Sequence, residues 1–345
     1  MQPTDQSDNQ KRLTLAQAAA NDAPADVALR PACLADFIGQ EELKQNLSIA
    51  MAAARKRAEP IEHVLLYGNP GLGKTTLSHI IGREMSANVV ITSGPALEKV
   101  GDLAAILSNL QTGDILFIDE IHRLQRTIEE ALYPALEDFC LDIVIGQGPS
   151  ARTIRMPLNR FTLIGATTKL SLLASPLRDR FGHAFHLTFY EEADLEKIIA
   201  RNAQLLGVTL APDASRSIAA RARRTPRIAN RLLKRLRDLA EVENEGYISS
   251  ELAARGWQLL ALDTYGLDAI DRRLLTTLIE KFNGGPAGLS TLSAAIAEET
   301  ETIENIYEPF LLQLGFLQRT PRGRLATPAA YAHLGYPAHK FPSLV

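Results

Sequence analysis

The sequence predicts an α/β protein in which a parallel sheet covered by helices precedes a small helical domain and a C-terminal winged helix. Three observations support this fold class. Apolar strands alternate with helical segments from Pro31 to Tyr190, a pattern typical of parallel sheets. The first strand runs into the glycine-rich stretch GNPGLGKT, which predicts a phosphate-binding loop followed by a helix. Beyond Tyr190 helical spacing takes over, and three helices and a hairpin follow near the C-terminus.

The first predicted domain spans residues 26–190 and follows a polar tail at residues 1–25. The tail is rich in Gln, Asp, Asn and Ala without strong periodicity, which is typical of poorly ordered segments. Between residues 137 and 159, two short strands flank a Gly-Pro turn and predict a hairpin that projects from the sheet as a candidate partner surface. The pattern predicts, in order, strand 63–67, helix 74–85, strand 89–92, helix 103–110, strand 114–119, helix 121–136 and strand 161–166.

Two smaller domains are predicted after the sheet, at residues 191–261 and 262–345. The first shows no strand signal and is predicted to be helical, with Thr225 and Pro226 as cap and first position of a helix. The second combines three helices with two strands joined by a Pro-Arg-Gly turn, which suggests a winged helix. The predicted helices are 192–206, 213–221, 227–244, 271–282, 289–297 and 300–314, and the strands are 316–320 and 324–327.

Composition argues against several classes of protein. With 46% hydrophobic residues the chain can bury real cores, and its net charge of −3 gives no global attraction to nucleic acid or membranes. Any DNA binding must therefore come from local patches. Cys33 and Cys140 form no CxxC pair, which argues against zinc and against a disulfide framework. No leader pattern and no run of about eighteen apolar residues occurs, so we expect a cytoplasmic protein with no membrane partner.

The chemistry of GNPGLGKT follows from the order of its residues. Gly68, Gly71 and Gly73 let backbone N–H groups turn inward, and the following helix adds the positive end of its dipole. Lys74 is placed to reach the β- and γ-phosphates, and the Thr75 hydroxyl is placed to ligate Mg²⁺. The loop therefore predicts binding of ATP together with Mg²⁺.

Two acids, Asp119 and Glu120, end the apolar strand ILFI. A carboxylate that holds the metal, beside another that orients and deprotonates the attacking water, is the division of labour that phosphoryl transfer requires. Asp119 takes the first role in this hypothesis and Glu120 the second, so nucleotide hydrolysis is predicted. The simpler alternative is that Asp119 only caps the helix predicted to begin at Ile121.

Further polar residues fit the same chemistry, and each has a plainer alternative. Thr168 ends a strand, where its hydroxyl either senses the γ-phosphate and its attacking water or only satisfies backbone groups. Arg178 and Arg180 flank an acid and form either a surface ion pair or an arginine finger, which a neighbouring subunit often supplies. Arg227 opens an arginine-rich helix where a lid would close on nucleotide, although most arginines of this stretch are expected on a solvated face.

These motifs together resemble the RuvB family, the bacterial motor of Holliday junction branch migration. The resemblance runs from Leu29 to Thr327 and is carried by GNPGLGKT, LFIDEIHRL, LIGATT, SPLRDRFG, TPRIANRLL and GFLQRTPRGR. The segments TSGPALEK, LDIVIGQGPSAR and TPRGR make it more specific than a phosphate loop alone. It implies an AAA+ large domain, a small helical lid and a winged-helix head, assembled as a homo-hexameric ring around duplex DNA. It also implies two rings flanking a junction held by RuvA, with the RuvC resolvase as an indirect partner.

The resemblance assigns roles to single residues. It makes Asp119 and Glu120 the Walker B pair, Thr168 a first sensor, Arg180 the finger and Arg227 a second sensor. It makes the hairpin between Leu141 and Asn159 the element that docks on RuvA. The residues that it places at the nucleotide are Leu29, Arg30, Gly71, Gly73, Lys74, Thr75, Thr76, Glu137, Asp138, Phe139, Arg180, Tyr190 and Arg227, with Thr75 and Asp119 at the metal.

The wing supplies the predicted DNA contacts. Arg319, Arg322 and Arg324 cluster there, and no acid occurs from Phe310 to the last residue. These arginines are either exposed loop charges or phosphate contacts that need no base readout. The resemblance favours DNA, with Arg319 and Arg324 as the contacts.

The chain departs from the family pattern at three positions. Asn69 replaces the first proline of the phosphate loop, a position that shapes the turn without side-chain chemistry. Ala297 stands where relatives often carry glycine, and Thr300 where they often carry arginine. The last difference removes one of the DNA contacts that the resemblance would otherwise imply.

Three other function classes share parts of this pattern. A clamp loader has the same AAA+ core, and clamp binding would identify it. A DNA-binding regulator would use the winged helix to read an operator, and its signature would be a sequence-specific footprint. The hydrolytic residues Glu120 and Arg180 argue against that regulator. A remodeller of protein substrates would have an ATPase stimulated by protein rather than by DNA.

Overall fold

The computed structural model describes residues 28–145, 152–244 and 246–337. The chain divides into two compact units, one ending at Asp194 and the other running on from Leu195. The tail predicted at residues 1–25 lies outside the described residues. No helix in the described ranges is long and apolar enough to cross a membrane.

The first unit contains the parallel sheet that the alternating pattern predicts. Its strands are β1 (Val64–Tyr67), β2 (Val89–Ser93), β3 (Ile115–Asp119), β4 (Cys140–Ile145), β5 (Arg152–Pro157), β6 (Thr162–Thr167) and β7 (His183–His186). Five of them form one sheet in the order β2-β3-β6-β1-β7, and every neighbouring pair is parallel. The α/β fold class is therefore confirmed. Strand β1, which leads into the phosphate loop, lies between β6 and β7.

Helices connect these strands and cover the sheet. They are α1 (Glu41–Arg57), α2 (Lys74–Glu84), α3 (Val100–Asn109), α4 (Arg126–Glu137) and α5 (Ser175–Arg178). The helix predicted at 121–136 is interrupted, because a 3-10 turn at Ile121–Arg123 is followed by extended backbone at Leu124 and Gln125. Helix α1 and strand β7 are absent from the sequence-based prediction.

The direction of the strands determines where the functional residues lie. Leu116, Ile118 and Leu163 are fully buried in one core with Leu132 of α4, and the alternate residues Ile115 and Phe117 of β3 are buried too, as expected for a sheet covered on both faces. Parallel strands all end at the same edge of a sheet, and ligands bind outside that carboxyl edge. The segments that follow β1, β3 and β6 therefore meet there. The segments that precede β1, β6 and β7 lie at the opposite edge.

The predicted hairpin is present. Strands β4 and β5 pair in antiparallel register, from Cys140 opposite Pro157 to Ile145 opposite Arg152. The turn at residues 146–151 lies outside the described residues. The side chain of Ile154 on β5 is half exposed, which is compatible with a surface that meets a partner.

The second unit begins with a small helical region. Its helices are α6 (Glu192–Leu205, which begins before the division), α7 (Pro212–Arg221), α8 (Pro226–Glu243) and α9 (Ser250–Leu259). Two parallel two-residue strands, β8 (Thr209–Leu210) and β9 (Tyr247–Ile248), tie the start of α7 to the start of α9. The expectation that this region contains no strand was therefore wrong. Strands this short leave too few residues for an alternating pattern to be visible.

A winged helix completes the second unit. It consists of α10 (Ala269–Lys281), α11 (Leu289–Ile296), α12 (Thr300–Thr302), a π-helical turn (Ile303–Tyr307), α13 (Glu308–Gln313), β10 (Leu317–Thr320), β11 (Gly323–Ala326) and α14 (Pro328–His333). The helix predicted at 300–314 is thus divided by a π-helical turn. Pro309 has no N–H to donate to the carbonyl four residues earlier, which accounts for the widened turn before it. The wing is the antiparallel β10-β11 hairpin.

Candidate nucleotide site and wing

The phosphate loop has the backbone conformation that its glycines predict. Gly68 has a φ of 143°, and a Cβ there would lie 2.4 Å from the carbonyl oxygen of Leu187. Gly73 has a φ of 107° and begins helix α2 without a side-chain cap. The first-turn amides of α2 therefore receive no side-chain acceptor from Gly73, and such amides bind anions. The loop fits the phosphates of a nucleotide.

Lys74 and Tyr190 hold the loop from within. The Lys74 ammonium is almost fully buried and donates to the carbonyl oxygens of Gly68 at 2.8 Å and Asn69 at 3.0 Å. The Tyr190 hydroxyl donates to the carbonyl oxygen of Leu72 at 3.2 Å. Burial raises the pKa of Tyr190 well above its usual range, so this phenol stays neutral. Tyr190 thus supports the backbone of the loop.

The acids at the end of β3 lie at the same edge as the loop. Asp119 accepts the backbone N–H of Glu120 at 3.0 Å, and Glu120 itself has the left-handed backbone (φ 49°) that begins the following turn. Asp119 therefore does not cap that turn through a later amide, and the plainer alternative is not supported. Thr168, after β6, donates from its hydroxyl to the Glu120 carboxylate at 3.1 Å. This contact joins the predicted base to the predicted sensor.

Sequence reasoning missed His122. Its Nδ1 lies 3.4 Å from the Glu120 carboxylate and 2.8 Å from the Thr167 hydroxyl, which also accepts the backbone N–H of Lys169. The imidazole and the two threonines thus form one hydrogen-bonded group around Glu120. The only available signal was the position of His122 two residues after the acid pair.

The environment of Glu120 suits a general base. Burial is the largest cause that raises the pKa of this carboxyl, and the charge of Asp119 raises it further. The hydrogen bond from Thr168 and the charges of Lys74 and Arg123 oppose that rise. A carboxylate with a raised pKa accepts a proton more readily.

The segment at residues 29–34, which precedes α1, lies against α2. Leu29 is buried, and the backbone N–H of Leu34 donates to the carboxylate of Glu84 in α2 at 2.9 Å. Burial lowers the pKa of His79 in α2, and the nearby charge of Arg30 lowers it further. This segment therefore lies beside α2, the helix that follows the phosphate loop. Thr75 and Thr76, in the first turn of α2, are partly exposed.

Arg180 lies at the opposite edge of the sheet from Lys74. It precedes β7, whereas Lys74 follows the neighbouring parallel strand β1. The four residues of β1 alone separate these edges by about 13 Å, at about 3.3 Å per residue. A single chain therefore does not bring Arg180 to its own phosphate loop.

Arg180 is held by three groups at that edge. Its guanidinium donates to Glu137 at 3.0 Å and to the carbonyl oxygen of Pro176 at 2.6 Å, and it lies 4.5 Å from the centre of the Tyr133 ring. Arg178 makes a distant, exposed ion pair, with its Nε 3.9 Å from the Asp179 carboxylate. The surface ion pair of the plainer alternative is thus made by Arg178.

A cavity of about 330 Å³ opens beside Arg180. Phe139 lines it and packs against Phe161 with a centroid distance of 6.0 Å, while Asp138 accepts a hydrogen bond from Arg155 at 2.6 Å. The structure therefore divides the predicted nucleotide residues into two sets. One set surrounds the phosphate loop, and the other, with Glu137, Asp138, Phe139 and Arg180, forms a separate face.

The remaining predicted residues belong to the second unit. Arg227 lies in the first turn of α8, which begins at Pro226 after the extended N-cap residue Thr225. Most arginines of this stretch are expected on a solvated face, and one of those before Arg227 is an exception. Arg223 is buried against Asp268 and Asp271.

Two of the three wing arginines, Arg319 and Arg324, are paired with acids that the sequence reasoning overlooked. Arg324 donates a hydrogen bond to the buried carboxylate of Glu308 at 2.9 Å and is mostly buried itself. Arg319 bonds Glu304 at 3.1 Å, and its side chain remains 56% exposed. The chain has no acid from Phe310 onward, but the compensating carboxylates come from the helical segment just before it. Of the two predicted DNA contacts, Arg319 is the accessible one.

Among the described residues no cluster of three or more His, Cys, Asp or Glu side chains forms a metal site. Such a cluster is not required for Mg²⁺, which commonly takes one or two protein ligands and completes its shell with water and substrate phosphates. Thr75 and Asp119 are the residues predicted for that role.

The fold and the phosphate loop define a nucleotide-binding P-loop protein of the AAA+ class. Family models match nearly all of the described chain: "Holliday junction DNA helicase RuvB P-loop domain" at residues 29–187, "RuvB AAA lid domain" at 190–263 and "RuvB C-terminal winged helix domain" at 264–335. The chain belongs to the RuvB family.

Individual relatives agree with this assignment. The Holliday junction branch migration complex subunit RuvB of Dehalococcoides mccartyi is 57% identical over 331 residues, covering 96% of this chain and 95% of that protein. The subunit of the same name from Chloroflexus aurantiacus is 56% identical over 335 residues, with 96% of each chain covered. The solved structure of the Thermotoga maritima RuvB Holliday junction branch migration motor is 49% identical and superposes with a TM-score of 0.82. That match covers 90% of this chain and 99% of the Thermotoga chain.

Proposed function

We propose that this chain is the subunit of an ATP-driven DNA motor that pumps duplex DNA during Holliday junction branch migration. Support comes from relatives named as branch migration subunits that are 56–57% identical over nearly the whole chain. The observation that carries the enzymatic part is the Glu120–Thr168 pair beside the phosphate loop, with Arg180 on the other edge of the sheet. Such a site is complete only when two subunits meet.

Hydrolysis at the loop edge uses residues with separate tasks. The loop amides and Lys74 bind the phosphates of ATP, and Thr75 and Asp119 hold Mg²⁺, which neutralises phosphate charge when bound. Glu120 takes a proton from the attacking water as the oxygen of that water forms a bond to the γ-phosphorus. The bond from that phosphorus to the bridging oxygen breaks, and ADP and phosphate leave. Thr168 keeps the Glu120 carboxylate directed at the water.

The second face completes the site of a neighbouring subunit. Arg180 supplies the guanidinium that stabilises charge in the transition state, and Glu137, Asp138 and Phe139 line the same face. This arrangement accounts for the distance between Arg180 and the loop of its own chain. It requires subunits that meet head to tail, and a homo-hexameric ring is the assembly that the family resemblance implies.

The remaining parts of the motor act on the nucleotide and on partners. In the proposed division the large domain spans 26–190, the lid 191–261 and the head 262–345. Arg227 reads the nucleotide from the lid, and Tyr190 supports the loop. The wing contacts DNA phosphates through Arg319 and Arg324, the second after exchange of its partner Glu308. The β4-β5 hairpin docks on RuvA, RuvC acts indirectly, and the complex works in the cytoplasm.

ATP-driven dissociation of a synthetic four-way junction tests this function. The protein should dissociate the junction with ATP, and RuvA should stimulate the reaction. Glu120→Gln should bind ATP and leave the junction intact, because the proton acceptor is lost. Dissociation that persists in this variant, or intact ATP in the presence of RuvA and junction DNA, would reject the motor.

A further inference from the structure

Arg223 joins the helical lid region to the winged-helix head within the second unit. Its side chain is 3% exposed and donates to the carbonyl oxygen of Gly266 at 3.1 Å. It also pairs with two carboxylates at the start of α10, Asp268 at 3.3 Å and Asp271 at closer range. Both acids are buried. One arginine thus compensates two carboxylates that belong to a different domain of the motor.

The two acids also begin the head helix. Asp268 accepts the backbone N–H groups of Ile270 at 2.7 Å and of Asp271 at 3.0 Å, while Asp271 accepts the N–H of Asp268 at 2.9 Å. This reciprocal capping fixes the direction in which α10 leaves the lid. Burial raises the pKa of the Asp271 carboxyl, and the charge of Arg223 opposes that rise.

The backbone that presents Arg223 is strained. Arg223 and Arg224 have φ values of 49° and 53°, in the left-handed region that side chains other than glycine avoid. Two consecutive residues of this kind persist only when surrounding contacts determine them. The contacts of Arg223 with Gly266, Asp268 and Asp271 in the head are among those contacts. The conformation of this turn therefore depends on where α10 lies.

Arg227 lies four residues further along the same turn and helix. Thr225 and Pro226 start α8 immediately after the strained pair, so any shift of the first turn of α8 moves the backbone of Arg223. One short segment thus carries both Arg227, which we propose senses the nucleotide, and Arg223, which contacts the head.

Contacts continue from Arg223 to the wing. Its guanidinium lies 5.3 Å from the centre of the Phe310 ring, in the short helix α13. The first residue of α13 is Glu308, whose buried carboxylate holds Arg324 of β11 and lies 3.7 Å from Arg319 of β10. A continuous set of packed and hydrogen-bonded groups therefore runs from the start of α8 to the proposed DNA contacts.

We propose that Arg223 is a positioning residue. It couples the nucleotide state sensed by Arg227 to the affinity of the head for DNA. The inference rests on the proposed function, because it requires ATP at the lid and DNA at the wing. When the first turn of α8 shifts with the nucleotide, Arg223 moves Asp268 and Asp271 and thereby reorients α10, α13 and the wing. Coupling between two binding sites of this kind is commonly worth about five- to 150-fold in affinity.

The test compares the affinity of the full-length protein for duplex DNA with ATP and with ADP, in a Glu120→Gln background that keeps ATP intact. The decisive variant is Asp268→Asn. Asparagine caps helices as well as aspartate does, so the cap of α10 is kept while the charge facing Arg223 is lost. We expect the ratio of the two DNA affinities to fall to near one, while ATP affinity stays unchanged. Arg235→Gln, which removes an exposed arginine of α8, should leave the ratio as in the parent.

Arg223→Lys is the second variant and carries the test should Asp268→Asn not fold. Lysine keeps the charge but cannot bridge two carboxylates as a guanidinium does, so an intermediate ratio is expected. A merely structural role predicts equal losses of DNA affinity with ATP and with ADP, and that result would overturn the proposal. So would a parent-like ratio in both variants. A parent protein whose DNA affinity ignores the nucleotide would instead reject the motor itself, and the role of Arg223 with it.

Discussion

The hydroxyl of Thr168 lowers the proton affinity of Glu120, the residue that we propose as the base. Its hydrogen bond favours the charged form of Glu120, against burial and Asp119, which raise the pKa of that carboxyl. Thr168→Val should therefore raise the pKa of Glu120 further. Hydrolysis requires the carboxylate, so activity rises as pH rises through this pKa. We expect the acid limb of the kcat profile to move to higher pH, with a greater loss of rate at about pH 6 than at about pH 8.

Steady-state ATPase rates across that range check the prediction. Glu120→Gln is the control, because its residual rate should lack this limb. A Thr168→Val profile that falls uniformly at every pH would show that the hydroxyl acts on something other than the base.

Ala297 is strained where the family resemblance places glycine. It ends helix α11 with φ 51° and ψ 50°, and its side chain is exposed. Ala297→Gly removes the clash of the Cβ with the carbonyl oxygen, and the larger entropy of an unfolded glycine offsets part of the gain. We expect a net stabilisation of about 0.5–1 kcal/mol. Ala294→Gly, inside the same helix and also exposed, should instead destabilise by about 1 kcal/mol. Denaturant unfolding measures both, and shifts of the same sign would contradict this account.

Among the elements, the wing shows why two arginines of similar sequence context behave differently. Arg324→Ala removes the hydrogen-bonded partner of the buried Glu308 carboxylate and leaves only Arg319, 3.7 Å away, near that charge, which should destabilise the head by up to about 3 kcal/mol. Arg319→Ala removes an exposed guanidinium and should leave stability nearly unchanged.

If Arg319 contacts one phosphate, its loss should reduce the slope of log affinity against log salt by about one unit. DNA titrations at several salt concentrations measure this slope. An unchanged slope for Arg319→Ala would remove that residue from the DNA interface.

The same elements show what the sequence could and could not predict. Order along the chain was enough for the loop, the acid pair after β3 and the threonine after β6, because parallel strands bring their carboxyl ends together. Local patterns do not reveal pairs formed between elements, and so Glu308 with Arg324 and Arg223 with Asp271 were missed. Strand β7 was missed because it has only four residues, two of them histidines. Helix α1 carries buried residues at Leu43, Leu47, Met51 and Ala54, and this helical spacing is visible in the sequence.

At the scale of the whole molecule, the two edges of the sheet predict cooperation between subunits. Arg180→Ala subunits keep an intact phosphate loop, and Lys74→Ala subunits keep an intact finger. Each alone should be inactive. A ring that mixes them places some Arg180→Ala loops against a neighbour that supplies Arg180. Random mixing in equal amounts makes about a quarter of the interfaces competent, so ATPase activity should return to about a quarter of the unaltered rate if each finger acts on its neighbour.

Mixing with the double variant provides the matched control. Subunits that carry both Lys74→Ala and Arg180→Ala have neither a loop nor a finger to contribute, so adding them to Arg180→Ala subunits should restore nothing. The comparison separates supply of a finger from stabilisation of the ring, because both mixtures assemble with the same surfaces elsewhere. Restoration in the control mixture, or none in the first, would show that the finger does not act in trans. Arg180 would then have to reach its own loop across the sheet, which the strand directions of this fold oppose.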